Sequence, residues 1–338
     1  MKTFIKGLFL TFILITSYPV KADELRFAVI PKGENPFFLE SKKGCEDAAT
    51  EIGGVKCIFR GPKEDDFRLQ NQILEKFVDD GVDGIAIAII KTEYMVRNGL
   101  QKAKKKGIPV ITFDSDFDSS TLDKYENLRL AYIGSDNLAF GKALGEQVKK
   151  LRPNGGKLCI QSAHKGESNL ILRMMGVRSA LSGKTYTSPP GKKLKNVNGW
   201  TEISRCPLYG NGQSVPSIEQ MKFILRKAPK EVDTFVAVGG WVQMNNIKKY
   251  REMIPLFKEK MDRREIAVVI GDTTEGQLEC LKDHLSHINV GQRPYDMGRQ
   301  AIFTLYNIVK KNGYKKVIYT PLTYCTPENY DTCTKSSN

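Results

Sequence analysis

Histidine is scarce in this chain of 338 residues, which contains only three. His284 and His287 are the only two close together, and the sequence has no Cys-x-x-Cys pair, so we expect no metal site. There is also no Gly-x-Ser-x-Gly elbow, no Walker loop and no Gly-x-Gly-x-x-Gly after a strand. These absences argue against the common hydrolase and nucleotide-binding classes, and we expect neither a cofactor nor catalysis.

Long hydrophobic runs are missing as well, since no stretch beyond the start approaches transmembrane length. The start has Lys2 and Lys6, then an apolar run from Leu8 to Ile15, and it ends in the small-x-small pattern Val20-Lys21-Ala22. This is the pattern of a secretory signal peptide. We predict that residues 1–22 are removed and that the mature protein is soluble and exported.

Positive charge is in excess, with a formal net charge of +14 that falls to +11 without the three lysines of the leader. The excess is scattered in short lysine runs, and no zinc knuckle, helix-turn-helix or basic–aromatic stripe accompanies it. Solvated helix faces therefore explain the charge better than nucleic acid or an anionic membrane does. We expect no nucleic-acid partner.

Seven cysteines in an exported chain indicate disulfides with at least one thiol left over. Cys325 and Cys333 close a short polar loop and are expected to pair. Cys280 is the expected odd thiol. Two further pairs are compatible with the predicted elements: Cys45 with Cys57, and Cys159 with Cys206.

The sequence is organised around a segment from Phe27 to Phe38, which reads FAVIPKGENPFF. Its first residues are apolar and β-prone, Pro31 and Gly33 stop the strand, and Pro36 suits the first position of a helix. This strand–loop–helix unit opens a doubly wound α/β domain, in which ligands bind beyond the carboxyl ends of the strands.

The same alternation continues along the chain, with buried strands such as 83–89 and 266–270 and helices such as 94–106 and 297–311. We predict an α/β fold of two doubly wound parallel-sheet lobes joined by a multi-segment hinge. The first lobe is expected to comprise residues 23–134 plus 292–316. The second is expected to comprise residues 135–291 plus 317–338, with the first crossing near Gly134.

Conspicuous polar and aromatic residues follow the predicted strands, and they line one cleft if the two lobes face each other. Carboxylates accept hydrogen bonds from vicinal hydroxyls, amides donate and accept, and aromatic faces cover the C–H surfaces of a sugar ring. The pattern predicts a polyhydroxylated ligand. The candidate ligand-binding residues are Asn35, Phe37, Phe38, Asp114, Asp116, Trp241, Asp272 and Gln292.

Each candidate also has a purely structural explanation. Asp114 and Asp272 suit helix caps or hinge-loop acceptors, and Asp136, which is not among the candidates, suits a helix cap better than a ligand contact. Phe37, Phe38 and Trp241 suit ordinary core packing, and Gln292 suits a loop acceptor.

The chain resembles the type I periplasmic solute-binding proteins, the ribose- and galactose-binding group that supplies ABC importers. The resemblance covers nearly all of the mature chain. Its marks, in order, are Asn35-Pro36-Phe37-Phe38, Val110-Ile111-Thr112-Phe113-Asp114, Ile133-Gly134-Ser135-Asp136-Asn137, Val269-Ile270-Gly271-Asp272, and Gln292 before the closing helix.

The resemblance implies that Asn35, Phe37, Phe38 and Asp114 contact a sugar from the first lobe, Asp272 from the second and Gln292 from the crossing. Three positions depart from the family pattern. Ser115 stands where an Arg often follows the aspartate, and Ile171 replaces the first of two arginines while Arg173 fits the second. Gly239-Gly240, beside Trp241, replaces an Asn or Asp. We therefore expect a pocket that is less charged and more aromatic than a ribose site.

The function predicted from these observations is capture of a sugar or related polyol in the periplasm and delivery to the permease of an ABC importer, by a monomer. One alternative keeps the fold but makes the protein a ligand-sensing subunit for a chemoreceptor or membrane kinase. The other is a secreted glycoside hydrolase with Asp114 and Asp272 as acid and base.

Overall fold

Short β-branched segments and amphipathic helices alternate through the computed structural model, which describes residues 24–125 and 127–335. The predicted leader, 1–22, lies outside these residues. The strands are β1 (Leu25–Ile30), β2 (Val55–Phe59), β3 (Gly84–Ile87), β4 (Val110–Phe113), β5 (Tyr132–Gly134), β6 (Gly156–Ser162), β7 (Trp200–Glu202), β8 (Leu208–Tyr209), β9 (Thr234–Ala237), β10 (Ala267–Gly271), β11 (Ile288–Gly291), β12 (Val317–Tyr319) and β13 (Thr323–Cys325).

Helices flank these strands, and none of those described is long and apolar enough to cross a membrane. They are α1 (Pro36–Ile52), α2 (Phe67–Asp79), α3 (Thr92–Arg97), α4 (Gly99–Lys105), α5 (Ser119–Lys124), α6 (Asn137–Leu151), α7 (Ser168–Ser182), α8 (Ser214–Leu225), α9 (Ile247–Met253), α10 (Lys258–Asp262), α11 (Glu275–Lys282) and α12 (Pro294–Val309). A 3₁₀ turn, Ile254–Phe257, links α9 to α10.

Two sheets form the centres of two lobes. The first sheet has the order β12-β5-β4-β3-β1-β2 and is parallel throughout. The second has the order β13-β11-β10-β9-β6-β7, with β8 beside β6 and only β13 antiparallel. Both faces of each sheet are covered by buried apolar clusters, so the strands read as continuous hydrophobic runs. The predicted two-lobed α/β fold is confirmed.

The starts of α1 and α6, which lie next to strand ends, are fixed by side chains that cap the first backbone N–H groups. The Asn35 side chain accepts a hydrogen bond from Phe38 N at 3.1 Å, and Pro36 occupies the first helical position of α1. Asp136 caps α6 by accepting from Leu138 N and Ala139 N, each at 3.0 Å. Asp136 is thus a helix cap, as its spacing suggested.

Glycines let one pair of helices in each lobe approach closely. A Cβ atom on Gly44 of α1 would lie 2.0 Å from the carbonyl oxygen of Tyr295 in α12. A Cβ atom on Gly141 of α6 would lie 2.0 Å from the carbonyl oxygen of Arg173 in α7. A larger residue at either position would force the helices apart.

Within the described residues, three segments connect the two sheets: β5 to α6, β11 to α12, and β12 to β13. The third differs from our division of the chain, which assigned residues 317–338 to the second lobe. Strand β12 instead pairs with β5 of the first sheet, with Val317 opposite Tyr132, and only β13 pairs in the second. The chain therefore crosses between the lobes after Tyr319.

Disulfides join the expected pair, Cys325 with Cys333, and the two further pairs that were compatible with the predicted elements. Two lie within the first and second lobes, Cys45–Cys57 and Cys159–Cys206, and Cys325–Cys333 closes the C-terminal loop. Cys280 is a buried free thiol, and burial raises its pKa to about 11. It is therefore protonated at neutral pH and unreactive.

Candidate functional site

The carboxyl ends of the strands of both sheets face one small cavity of about 60 Å³ between the lobes. Seven of the eight predicted residues line it, and Asp116 does not. The lining consists of Lys32, Asn35, Phe37, Phe38, Asp65, Asp114, Ala163, Glu167, Asn169, Leu170, Arg173, Gly212, Trp241, Met244, Asp272 and Gln292.

Asp114 and Asp272 occupy equivalent positions in the two lobes. Each is the first residue after a central strand, β4 or β10, and each is 5% exposed. Both have left-handed backbone angles, with φ of 57° at Asp114 and 70° at Asp272. Non-glycine residues adopt this conformation at a cost, and such residues cluster at functional sites. The fold thus aims one carboxylate from each lobe at the same cavity.

A hydrogen-bonded chain holds Asp272 in place. Its Oδ2 accepts from Gly240 N at 2.9 Å, and its Oδ1 accepts from Gln292 Nε2 at 2.7 Å. Gln292 Oε1 in turn accepts from Arg173 Nη2 at 2.9 Å. Burial raises the pKa of Asp272, although Arg173 and Gln292 oppose the shift. Gln292 lies on the second crossing between the lobes, from β11 to α12. A hinge segment therefore contacts the site directly.

Arg173 is held from several sides. Its Nε donates to Asn137 Oδ1 at 2.8 Å, its Nη1 donates to Val238 O at 3.1 Å, and its guanidinium lies 4.4 Å from the centre of the Phe140 ring. These contacts and that with Gln292 fix the guanidinium plane at the cavity wall.

Aromatic side chains form the apolar part of the wall. Phe37 and Phe38 meet edge to face at 5.1 Å between ring centres, and Phe38 meets Phe113 in the same way at 6.1 Å. Trp241 lies on the opposite side, in the loop after β9, and packs against the core of the second lobe. Core packing and a place on the cavity wall are therefore compatible at these positions.

Lys32 and Glu167 were not among the predicted residues, although both line the cavity and are 6% exposed. Lys32 Nζ donates to Glu167 Oε1 and lies 3.3 Å from Asp114 Oδ2. Burial alone would lower the pKa of Lys32, but the two carboxylates outweigh it and raise the pKa. The cavity wall thus carries more charged side chains than the predicted residues alone would give it. Lys32 lies inside the organising segment, two residues after β1, which is the one signal that would have identified it.

Asn169 was also missed. It is 3% exposed, lines the cavity, and its Oδ1 has no hydrogen-bond partner within the described residues. A buried acceptor without a donor costs about 1–3 kcal/mol. The site therefore favours a ligand that brings hydrogen-bond donors, which hydroxyl groups do.

Asp116, predicted to bind the ligand, does not line this cavity. Its carboxylate pairs with Arg129, whose Nε donates at 2.9 Å, and accepts from Thr112 Oγ1 at 2.6 Å. Its backbone carbonyl accepts from Ser168 Oγ of the other lobe at 2.5 Å. Both carboxylate oxygens are thus engaged away from the cavity, and Asp116 supports the loop after β4.

A second, wider cavity of about 1010 Å³ lies outside the first, and Asp65 and Glu167 line both. Within residues 24–125 and 127–335, no three His, Cys, Asp or Glu side chains are arranged to hold a metal ion. The inner cavity therefore offers carboxylates, amides, a guanidinium, an ammonium and aromatic faces, which together suit hydrogen bonding to a polyhydroxylated ring.

Comparisons with known proteins agree with this architecture. A family model described as a periplasmic binding protein domain matches residues 27–313. The chain is 33% identical to the D-allose-binding periplasmic protein of Escherichia coli (strain K12) over 156 residues, which are 46% of this chain and 50% of that protein. It is 23% identical to the ribose import binding protein of Bacillus subtilis (strain 168) over 289 residues, covering 85% and 82% of the two chains.

A solved structure shares the whole fold. An ABC transporter solute-binding protein from Burkholderia graminis, in complex with D-arabinose, aligns with a TM-score of 0.76 and 25% identity, over 93% of this chain and 99% of that one. The family match spans most of the chain, and the two facing lobes have the architecture that the family implies. The chain therefore belongs to the periplasmic binding protein domain family, type I.

Proposed function

We propose that this protein captures a sugar or related polyol between its lobes in the periplasm and presents the closed form to the permease of an ABC importer. The observation that carries the proposal is the pairing of Asp114 and Asp272, which come from equivalent positions in the two lobes and face one cavity. The related proteins named for D-allose and ribose, and the solved structure with D-arabinose, support the same ligand class.

The chemistry of the wall suits such a ligand. Each hydrogen bond from a sugar hydroxyl to a buried carboxylate contributes about 1.5–3 kcal/mol. A dissociation constant near 1 μM requires only about −8.2 kcal/mol, so a few such bonds together with aromatic contacts are sufficient. Phe37, Phe38 and Trp241 supply those contacts.

Capture requires the lobes to move. The inner cavity of about 60 Å³ has room for only a few water molecules, and Asp114 and Asp272 are almost wholly buried. A sugar ring therefore enters only if the lobes separate and then close around it. The three crossings between the sheets form the hinge for this motion.

No chemical step is part of this proposal, because the site binds and releases its ligand unchanged. The protein is expected to act as a monomer. Incubating the pure protein with the bound sugar and recovering the sugar intact tests the first statement, and a hydrolysis product would contradict it.

The experiment that tests the function is a thermal-shift screen of the mature protein against D-allose, D-ribose, D-arabinose, D-fucose, D-tagatose and myo-inositol. Ligand that binds only the folded protein raises its melting temperature, by an amount that grows with the ratio of concentration to dissociation constant. We expect at least one member to raise it in a saturable way, with micromolar affinity by calorimetry. A flat response to the whole panel, with folded protein, would contradict the proposal.

A further inference from the structure

A buried ion pair bridges the two lobes at the wall of the inner cavity. Lys32 follows β1 in the first lobe, and Glu167 immediately precedes α7 in the second. Lys32 Nζ donates to Glu167 Oε1, and the two side chains are 8% and 4% exposed. The same ammonium lies 3.3 Å from Oδ2 of Asp114. Lys32 therefore contacts a predicted ligand acceptor of its own lobe and a carboxylate of the other lobe at once.

Glu167 stands at the cap position of α7, yet its side chain makes no capping hydrogen bond. The carboxylate reaches across the cleft instead. Neighbouring residues of the same segment also reach the first lobe: His164 Nε2 lies 3.5 Å from Asp65 Oδ2, and Ser168 Oγ donates to the carbonyl of Asp116. We call residues 164–168 the closing segment.

The position of the Lys32–Glu167 pair between the lobes determines whether it affects lobe closure or folding. When the lobes are together, Lys32, Glu167 and Asp114 are removed from water, and removing one partner leaves a buried charge without compensation. When the lobes are apart, each side chain regains water. The free energy of the contact therefore acts mainly on closure rather than on the folding of either lobe.

We propose that Lys32 is a positioning residue that couples ligand capture to lobe closure, by holding the Asp114 carboxylate while it pairs with Glu167 of the opposite lobe. The proposal rests on the proposed function, because it assigns Asp114 to the ligand. It adds that the closed state is held by a contact within the protein and not by the ligand alone.

The kinetic test measures the stopped-flow tryptophan fluorescence of Glu167→Gln and Lys32→Met as they bind the sugar that the thermal-shift screen identifies. Of the two tryptophans, Trp241 lines the cavity and Trp200 does not. Truncating one partner of a buried charge pair acts chiefly on dissociation. We expect the dissociation rate constant to rise by about thirty-fold or more in each variant, while the association rate constant stays within about three-fold of wild type. The double variant should lose less than the product of the single losses, because both remove the same contact.

The matched control is Lys102→Met. Lys102 Nζ lies 2.7 Å from Asp79 Oδ2, but that pair is exposed and lies within the first lobe. Its loss should leave both rate constants unchanged. If Glu167→Gln dissociates at the wild-type rate while its melting temperature is unchanged, the coupling is refuted.

A ligand-free measurement separates this proposal from the function on which it rests. Small-angle X-ray scattering of the wild type, Glu167→Gln, Lys32→Met and Lys102→Met without sugar should show a larger radius of gyration for the two cleft variants only. Equal radii for all four would overturn the coupling even if the protein binds sugar. Failure of the wild type to bind any sugar would instead overturn the proposed function, and the scattering comparison would still decide whether the pair holds the lobes together.

Discussion

Replacing Asp272 by asparagine should separate ligand binding from folding. Asp272 has φ of 70°, a conformation that asparagine tolerates far better than alanine does, so the backbone should persist. The asparagine side chain keeps the shape and one acceptor but loses the charge. The hydrogen bond from Gly240 N or that from Gln292 Nε2 can still be accepted by its single oxygen.

The loss of affinity follows from the difference between charged and neutral hydrogen bonds. A bond to a carboxylate contributes about 1.5–3 kcal/mol, against about 0.5–1.5 kcal/mol for a neutral one. For two sugar hydroxyls bound to Asp272, the difference is about 2–3 kcal/mol, which weakens binding about 30- to 160-fold.

The stability of the ligand-free protein should change much less than the affinity does, because two effects oppose each other. Burial raises the pKa of Asp272 above its ordinary value, although Arg173 opposes the shift. The folded protein therefore holds this proton more tightly than the unfolded chain, and stability falls as the pH rises through the folded-state pKa. Ionising the buried carboxylate is thus a cost to the native state that asparagine removes, whereas its single oxygen can accept only one of the two hydrogen bonds.

Isothermal titration calorimetry and ligand-free thermal unfolding of Asp272→Asn test both halves of the prediction. Asp283→Asn is the control, because Asp283 belongs to an exposed ion pair with Arg251. Wild-type affinity in Asp272→Asn would refute the assignment of this carboxylate to the ligand. A large drop in melting temperature with the loss of binding would show that the residue acts through folding.

Two further predictions concern residues away from the cavity. Arg178 and Glu202 form a buried bidentate pair, with side chains 3% and 0% exposed. Arg178→Met should therefore lower the free energy of unfolding, measured by urea titration, by about 3–5 kcal/mol. The protein that remains folded should keep its affinity for sugar. His287 Nδ1 accepts from Val268 N at 3.1 Å, and burial lowers its pKa to about 4. The unfolded chain thus binds this proton from about pH 6.5 downward and the folded protein does not, so stability should fall by up to about 3 kcal/mol between pH 6.5 and 4. His287→Asn should flatten that slope in urea unfolding curves, and an unchanged slope would assign the pH dependence to other groups.

The main features of the site follow from local rules. Asp114 and Asp272 each follow a short, fully apolar strand, and the carboxyl ends of parallel strands meet at one edge of a sheet. Asn35, Pro36 and Phe38 likewise mark the start of α1, where capping places the loop at that edge. The place of these residues at the cavity could be predicted from each strand and the few residues that follow it.

Contacts between distant residues could not be predicted in this way. The partner of Asp116 is Arg129, which lies beyond the short helix α5, and nothing in the sequence links the two. The contact between Lys32 and Glu167 exists only when two separately folded lobes are brought together. Its geometry depends on how the hinge sets the lobes, which hydrophobic periodicity does not describe.

Short or weakly patterned elements also could not be predicted correctly from the sequence. Strand β12 has three residues and lies at a sheet edge with two of them exposed, so its hydrophobic pattern does not indicate which lobe it joins. The helix predicted for residues 94–106 is interrupted at Asn98. Gly99 lies tightly against α2, where its added Cβ would come within 2.6 Å of Leu74 Cδ2, and this packing separates α3 from α4.

The most direct test of ligand capture between the lobes is a crystal structure of the mature protein with the sugar that gives the largest thermal shift in the screen. We expect one sugar ring between the lobes, with hydroxyl oxygens within about 2.5–3.0 Å of both the Asp114 and the Asp272 carboxylates. A ring bound in the outer cavity alone, or held by one lobe without the other, would contradict it.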